Sequence, residues 1–344
     1  MYFHQILLFI IHKFNGERSQ TASYYLLKGK KSGQTIQDVT YFQLHSFFSL
    51  FPKLSKESYD EAIKILRQNE YVQIENAYIS LTEKGFQQVK NMEKPGFNGW
   101  LYRGNEQIFW KRVELIVQTL SQFKFQQKKF IPNQKDIEIQ HFVKKYFQKR
   151  DFQSLQFYTS FKLQLFQLLE SANLEKFQKE LFVYRLSGYK KSGLTWDQLT
   201  NYYSKTELDL KFAFIECLHI LIDAISKEQH PDLFDVLDGI EVEVPLTESA
   251  VKTNNLFSKG YSIEEVAEMR FLKKNTIEDH VIEIVSADPD FPVEPFISNE
   301  QIEKVLEIAD KYKSKKLKLI REYVPDLSYF QIRLALTKGE EVNG

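Results

Sequence analysis

The apolar positions of this chain fall into short helical stripes, broken once by an alternating pattern. Behind Ser55, a suitable N-cap, Tyr59, Ile63 and Leu66 recur at i, i+4 and i+7. "YVQI" and "YISL" then alternate around "ENA" and predict a β-hairpin, with Thr82 capping the helix after it. Ile263, Val266, Ala267 and Met269 line a later helix whose start, Ser262 with Glu265, has capping-box spacing. Gly260 suits a left-handed C′ position ending the helix before it. Beyond the turn "RFLKKN", a second helix starts at Asn275 or Thr276, with Ile277, Val281, Ile284 and Val285 packing inward. Two short helices about a basic turn fit a DNA-reading helix-turn-helix, and equally a small helical bundle.

A repeat appears when loops are compared. "LLKGKKSGQTIQDVTYF" (26–42) resembles "RLSGYKKSGLTWDQLTNYY" (185–203). With one inserted residue, Gly29, Ser32, Gly33, Thr35 and Thr40 match Gly188, Ser192, Gly193, Thr195 and Thr200. Thr35 with Asp38, and Thr195 with Gln198, have the spacing of a helix-opening cap. "GKKSG" is not a phosphate-binding loop, which needs G-x-x-x-x-G-K-[ST] between a strand and a helix. Helix, helix, hairpin and "LTxxG" over residues 30–92 closely resemble a winged-helix domain, a fold that serves protein as well as DNA.

The predicted fold is therefore mainly α, with tandem winged-helix/helix-turn-helix units and one small β-hairpin wing. "EKPGFNGWLYRGN" collects turn formers and marks a boundary. Three domains are expected. Residues 1–95 form a winged-helix-like domain. Residues 96–245 form a basic, aromatic helical domain carrying the second copy of the repeat. Residues 246–344 form the C-terminal helix-turn-helix domain.

Composition adds constraint mainly through charge. The chain has 344 residues and zero formal net charge, with 46 basic and 46 acidic side chains. Residues 94–191 hold 18 basic and 8 acidic side chains, and residues 192–246 hold 3 and 11. In the basic part, Lys128, Lys129, Lys144, Lys145, Lys149 and Arg150 alternate with Phe130, Phe142, Tyr146, Phe147 and Phe152. Such interleaving suits a nucleic-acid groove, but helical spacing places Phe142, Tyr146 and Phe147 on one stripe and favours aromatics in the core with solvated lysines. The single Cys217 sits in an apolar run, which excludes a disulfide framework and reads as a buried thiol. The N-terminal apolar run from Ile6 to Ile11 is too short to span a bilayer and lacks the flanks of a signal peptide. A buried helix is expected there, in a cytoplasmic protein with no membrane contact.

Two segments offer DNA contacts. In a bound helix-turn-helix the turn meets phosphate and the start of the second helix meets base edges. Those positions here are Arg270, Lys273, Lys274, Asn275 and Thr276. Glu278, Asp279 and Glu283, expected on the exposed side of the same helix, oppose insertion into a groove. His280 is expected to pack or cap, not to bind metal. The run 311–321, "KYKSKKLKLIR", supplies Lys311, Lys313, Lys315, Lys316, Lys318 and Arg321 with no acidic residue. It fits a solvated helix face or a contact with the phosphate backbone. No zinc-protease, nucleotide-loop, nucleophile-elbow or helicase motif occurs, so no enzyme, no metal and no cofactor are expected.

The stretch "LxxxGYSIEEVAEMRFLKKNTIEDHVIEI" resembles the helix-turn-helix domain at the C-termini of RecQ-type DNA helicases. The whole chain, with "LLKGKKSGQTIQD", "PLTESAVKTNNL" and the tail "YVPDLSYFQIRLAL", resembles the bacterial YpbB-type family, which carries this domain without helicase motors. The resemblance implies a nucleoid-associated accessory factor to a RecQ-like helicase in replication or repair. It would act by protein contacts and weak, sequence-independent DNA binding, with a single-stranded-DNA-binding protein as a further partner. The alternative expectation is a winged-helix/helix-turn-helix transcriptional regulator.

Overall fold

The computed structural model describes residues 2–127, 129–242, 246–288 and 290–339. The chain opens with α1 (Tyr2–Phe14), α2 (Ala22–Lys28) and α3 (Gly33–Tyr41), then a short 3-10 turn at His45–Phe47 and α4 (Lys56–Gln68). The hairpin β1 (Val72–Glu75) and β2 (Tyr78–Leu81) follows, antiparallel in the register Val72↔Leu81, and then α5 (Glu83–Val89). Ser55 and Thr82 cap α4 and α5 through their side-chain oxygens, as the sequence predicts. The glycine of "LTxxG" has a steric cause: a Cβ on Gly85 would lie 1.9 Å from the Tyr71 carbonyl oxygen. The protein is mainly helical, and this two-stranded hairpin is the one sheet among the described residues.

The middle of the chain contains α6 (Gly99–Tyr102), α7 (Glu106–Lys124), α8 (Ile137–Gln148), α9 (Leu155–Ser171), α10 (Lys176–Arg185), α11 (Trp196–Tyr203), α12 (Glu207–Ala224) and α13 (Pro231–Phe234). Its core surrounds the apolar α12, where Phe214 meets Trp110 edge-on at 4.9 Å. The aromatic–basic interleaving resolves as an amphipathic helix. Tyr146 and Phe147 are buried on α8 while Lys144 and Lys145 are exposed. The Arg112 guanidinium covers the half-buried Phe142 at 3.6 Å. With these rings already covered, no stacking platform remains on this helix. Lys128 lies outside the described residues. Cys217 is fully buried, and burial pushes its thiol far above the ordinary range.

The chain continues with α14 (Glu248–Phe257), α15 (Ile263–Met269), α16 (Lys274–Ala287), α17 (Asn299–Tyr312), α18 (Leu317–Tyr323) and α19 (Tyr329–Gly339). These helices do not form a domain of their own. The chain divides into two compact units: Met1–Ile6 with Glu93–Val242, and Leu7–Met92 with Glu243–Gly344. The breaks at 92/93 and 242/243 fall three residues before the expected boundaries. The grouping differs from the expected three domains, because the outer segments join. α3 packs against both α16 and α19. Arg333 on α19 pairs with Asp279 of α16 at 2.7 Å and donates to Gln37 Oε1 of α3 at 2.9 Å. Tyr41, fully buried, donates to the Arg333 carbonyl at 2.7 Å. A pattern of apolar stripes shows that each helix needs a partner but not which partner, so this joining was not visible in the sequence.

The two copies of the repeat fold differently at their turns. In the second, Thr195 is the N-cap of α11 and makes a full capping box with Gln198, as predicted. In the first, Ser32 is the cap and Thr35 lies inside α3, donating its backbone amide to Ser32 Oγ at 3.4 Å. Asp38 is not a capping residue either. It is buried and takes the Arg18 Nε donor at 2.7 Å. The matched threonine is thus inside the helix in the first copy and at its boundary in the second.

Candidate nucleic-acid interface

The helix-turn-helix begins as the sequence predicts. Gly260 adopts φ +88° ahead of Ser262, which forms a capping box with Glu265 at the start of α15. The turn brings Phe271 to φ +53° and leaves it 96% exposed. Helix α16 then starts at Lys274, one residue before Asn275, the earlier of the two expected starts, with Lys273 as an N-cap whose side chain makes no capping bond.

Helix α16 is the central helix of its unit. It packs against α3, α14, α15 and α19. Ile277, Val281, Ile282, Ile284 and Val285 are fully buried. The predicted carboxylate face needs correction. Glu283 is buried and accepts from the Thr247 amide and, at 3.1 Å, from Thr247 Oγ1, so it holds the start of α14. Asp279 is half-buried and neutralised by Arg333. In a major-groove complex the first residues of the second helix are the ones that reach the bases. Only the first turn of α16, with Lys273, Lys274 and Asn275, is exposed, and Thr276 is half-buried. Beyond that turn, α3, α14, α15 and α19 cover the helix.

The expected contact residues divide accordingly. Lys274 is paired with Glu264 at 2.7 Å. Lys273 and Asn275 point to solvent. Arg270 turns inward: its Nη1 donates to the Ser249 carbonyl at 2.7 Å and to Thr253 Oγ1, and its Nη2 donates to Ser249 Oγ at 3.0 Å. Arg270 therefore ties α15 to α14, a role that sequence spacing does not distinguish from phosphate contact.

His280 sits behind that bond network, buried, with Nδ1 2.8 Å from Thr253 Oγ1 and 3.4 Å from Arg270 Nη1. Thr253 Oγ1 accepts from Arg270 and turns its own proton to Nδ1, which places the ring proton on Nε2. Burial first, and then the Arg270 charge, lowers the His280 pKa. The unfolded chain takes up this proton near pH ~6.5 while the folded protein resists it. Below that pH the unfolded state binds more protons, so stability falls as pH falls; above it this contribution is fully present. His280→Gln should flatten the acid-side slope of stability, by no more than about 1.4 kcal/mol per pH unit. Urea unfolding of both proteins between pH 5 and 7 measures it, and an unchanged slope would assign the acid sensitivity elsewhere.

The basic run 311–321 is an elbow, not one helix face. Lys311 lies in the last turn of α17, Lys313 is its C-cap at φ +46°, and Lys316 is the N-cap of α18. Lys311, Lys313, Lys316, Lys318 and Arg321 are exposed. Lys315 is spent within the fold: its ammonium donates to the Tyr41 carbonyl and its amide donates to the Glu17 carboxylate at 3.1 Å. Sequence reasoning did not single out the tyrosines beside this run. Tyr312 and Tyr323 stack at 4.9 Å and stay 37% and 47% exposed, and Arg321 covers Tyr329 at 4.5 Å. The signal available was a tyrosine inside the basic run itself.

The paired helices α15 and α16 and their short turn define a helix-turn-helix protein, and residues 249–336 match the family model of a helix-turn-helix domain. The chain is 33% identical over 348 aligned residues to protein YpbB of Bacillus subtilis (strain 168), covering 98% of this chain and 97% of that relative. It belongs to the YpbB family. No solved structure matches it. Among the described residues, no helix is long and apolar enough to cross a membrane, and no cluster of three or more His, Cys, Asp or Glu is placed to hold a metal.

Proposed function

We propose that this protein is a non-catalytic accessory factor to a RecQ-like DNA helicase, acting through protein contacts and auxiliary, sequence-independent DNA binding. The observation that carries the reading is the burial of α16. A helix-turn-helix whose second helix is its unit's core is a scaffold, and its exposed cations contact phosphates without reading bases. The likeness of residues 260–285 to a helicase-appended domain supports the choice of partner. Helix α4, which precedes the wing, starts with exposed Glu57, Asp60 and Glu61, so the winged-helix unit is no better suited to base readout.

The test is equilibrium binding to duplex DNA over a range of salt, beside capture of a RecQ-like helicase from the same cell by the purified protein. Lys313, Lys316 and Lys318 changed together to alanine should weaken binding evenly across sequences. They should also reduce the salt slope by up to about 2.7, at ~0.9 per phosphate on duplex. Lys273→Ala should have the smaller effect. Lys315 is left in place because it holds the fold. Sharp, motif-bearing sites in genome-wide footprinting would replace this reading with a transcriptional regulator. Absence of helicase capture, with and without DNA, would remove the partner.

A further inference from the structure

Helix α18 and the elbow before it hold residues that folding alone does not favour. A left-handed C-cap is cheapest for glycine or asparagine, since a Cβ crowds the following carbonyl. Lys313 occupies that position at φ +46°. An N-cap favours serine, threonine or aspartate, and a cation there opposes the positive end of the helix. Lys316 occupies that position and makes no side-chain cap. The flanking helices are opened by serines: Ser298 caps α17 in a full capping box, and Ser328 Oγ accepts from the Gln331 amide at 3.2 Å. Local rules broken without a structural gain mark positions kept for another purpose.

The aromatic neighbours indicate that purpose. Tyr312 and Tyr323 lie nearly parallel, 25° apart with ring centroids at 4.9 Å, and both remain open to solvent. The Lys311 ammonium lies 5.5 Å from the Tyr312 ring centroid. Lys313 follows Tyr312 at the elbow, and Lys316, seven residues before Tyr323, falls on the same side of α18. Asp310 and Glu322 are the acidic residues next to the pair in sequence, so cations predominate. A phosphate backbone needs only cations, and a duplex hides the faces of its bases. Exposed stacked rings among lysines match unpaired bases joined by phosphates.

We infer that this elbow binds single-stranded nucleic acid, with a base stacking on the Tyr312–Tyr323 pair and backbone phosphates meeting Lys311, Lys313 and Lys316. The inference rests on the proposed DNA contact and names the form of DNA it takes. A labelled oligothymidylate of about 16 nucleotides, the upper end of a typical single-strand site, and a duplex of equal length are the probes, read by fluorescence anisotropy.

The wild-type protein binds the single strand more tightly than the duplex. Tyr312→Ala with Tyr323→Ala weakens single-strand binding roughly tenfold or more, as loss of a stacking ring does, and leaves duplex binding and the salt slope unchanged. Tyr312→Phe with Tyr323→Phe keeps the rings and binds as wild type, which separates stacking from a folding defect. Equal single-strand binding by the alanine pair and wild type overturns the inference, as does an equal loss in the phenylalanine pair. So does an alanine pair that loses helicase capture while keeping its single strand, because the tyrosines then serve a protein. If duplex is bound through the lysines and the single strand is bound no better, this inference fails and the proposed DNA contact stands. If neither probe binds, both fail.

Discussion

Val281→Asp should unfold residues 7–92 together with 246–339. Val281 is fully buried on α16, with Ile277, Ile284 and Val285 beside it on the same helix. A carboxylate at this position has no partner and no water, a cost of about 4 kcal/mol or more. That is a large share of the roughly 5–15 kcal/mol that holds a typical domain. The informative part is where the loss spreads. Because α3 packs on α16 and α19, and Arg333 bridges all three helices, α3 and α4 should lose hydrogen-exchange protection along with α14 to α19. If α3 and α4 kept full protection while the C-terminal helices exchanged freely, the outer segments would be separate domains, as the linear sequence suggests.

Gly193→Ala and Gly33→Ala should differ sharply although both alter the same position of the repeat. A Cβ on Gly193 would stand 2.0 Å from the Arg185 carbonyl oxygen and 2.6 Å from its carbon. Backbone cannot swing aside, and the turn is already closed by Leu194 donating to the Tyr184 carbonyl at 2.7 Å. A loss of about 3 kcal/mol is expected. The nearest atoms to a Cβ on Gly33 are those of the Asp279 carboxyl, at 2.9 Å. That half-buried side chain can rotate away, weakening its pair with Arg333. Alanine in the first turn of α3 also stiffens the unfolded chain, a gain of about 0.4–1 kcal/mol. The net change should stay within about 1 kcal/mol. Urea unfolding midpoints compare the two, and equal losses would show that both turns are held by the same contact.

Much of the local structure was legible because it is encoded in a few adjacent residues. Ser55, Thr82, Ser262 and Thr195 each bond an amide three positions on, and each opens the helix predicted. Gly260, at φ +88°, sets its bend by backbone preference. Membership of the YpbB family was also carried by linear patterns, from "LLKGKKSGQTIQD" to "YVPDLSYFQIRLAL".

What the sequence could not assign was how surface divides from core on an amphipathic helix with several neighbours. Glu283 reads as an exposed carboxylate until the start of α14 supplies the Thr247 donors. Arg270 reads as a phosphate contact until Ser249 and Thr253 take its guanidinium. Lys315 reads as one of six equal cations until the Tyr41 carbonyl claims it. In each case the partner lies between 17 and 274 positions away in the chain. Helix starts follow from neighbours in sequence, whereas the fate of a charged side chain depends on the helix packed against it. Only the tertiary structure, by setting α3 and α19 around α16, made the second helix of the helix-turn-helix a core element and left the elbow at α18 as the exposed basic surface.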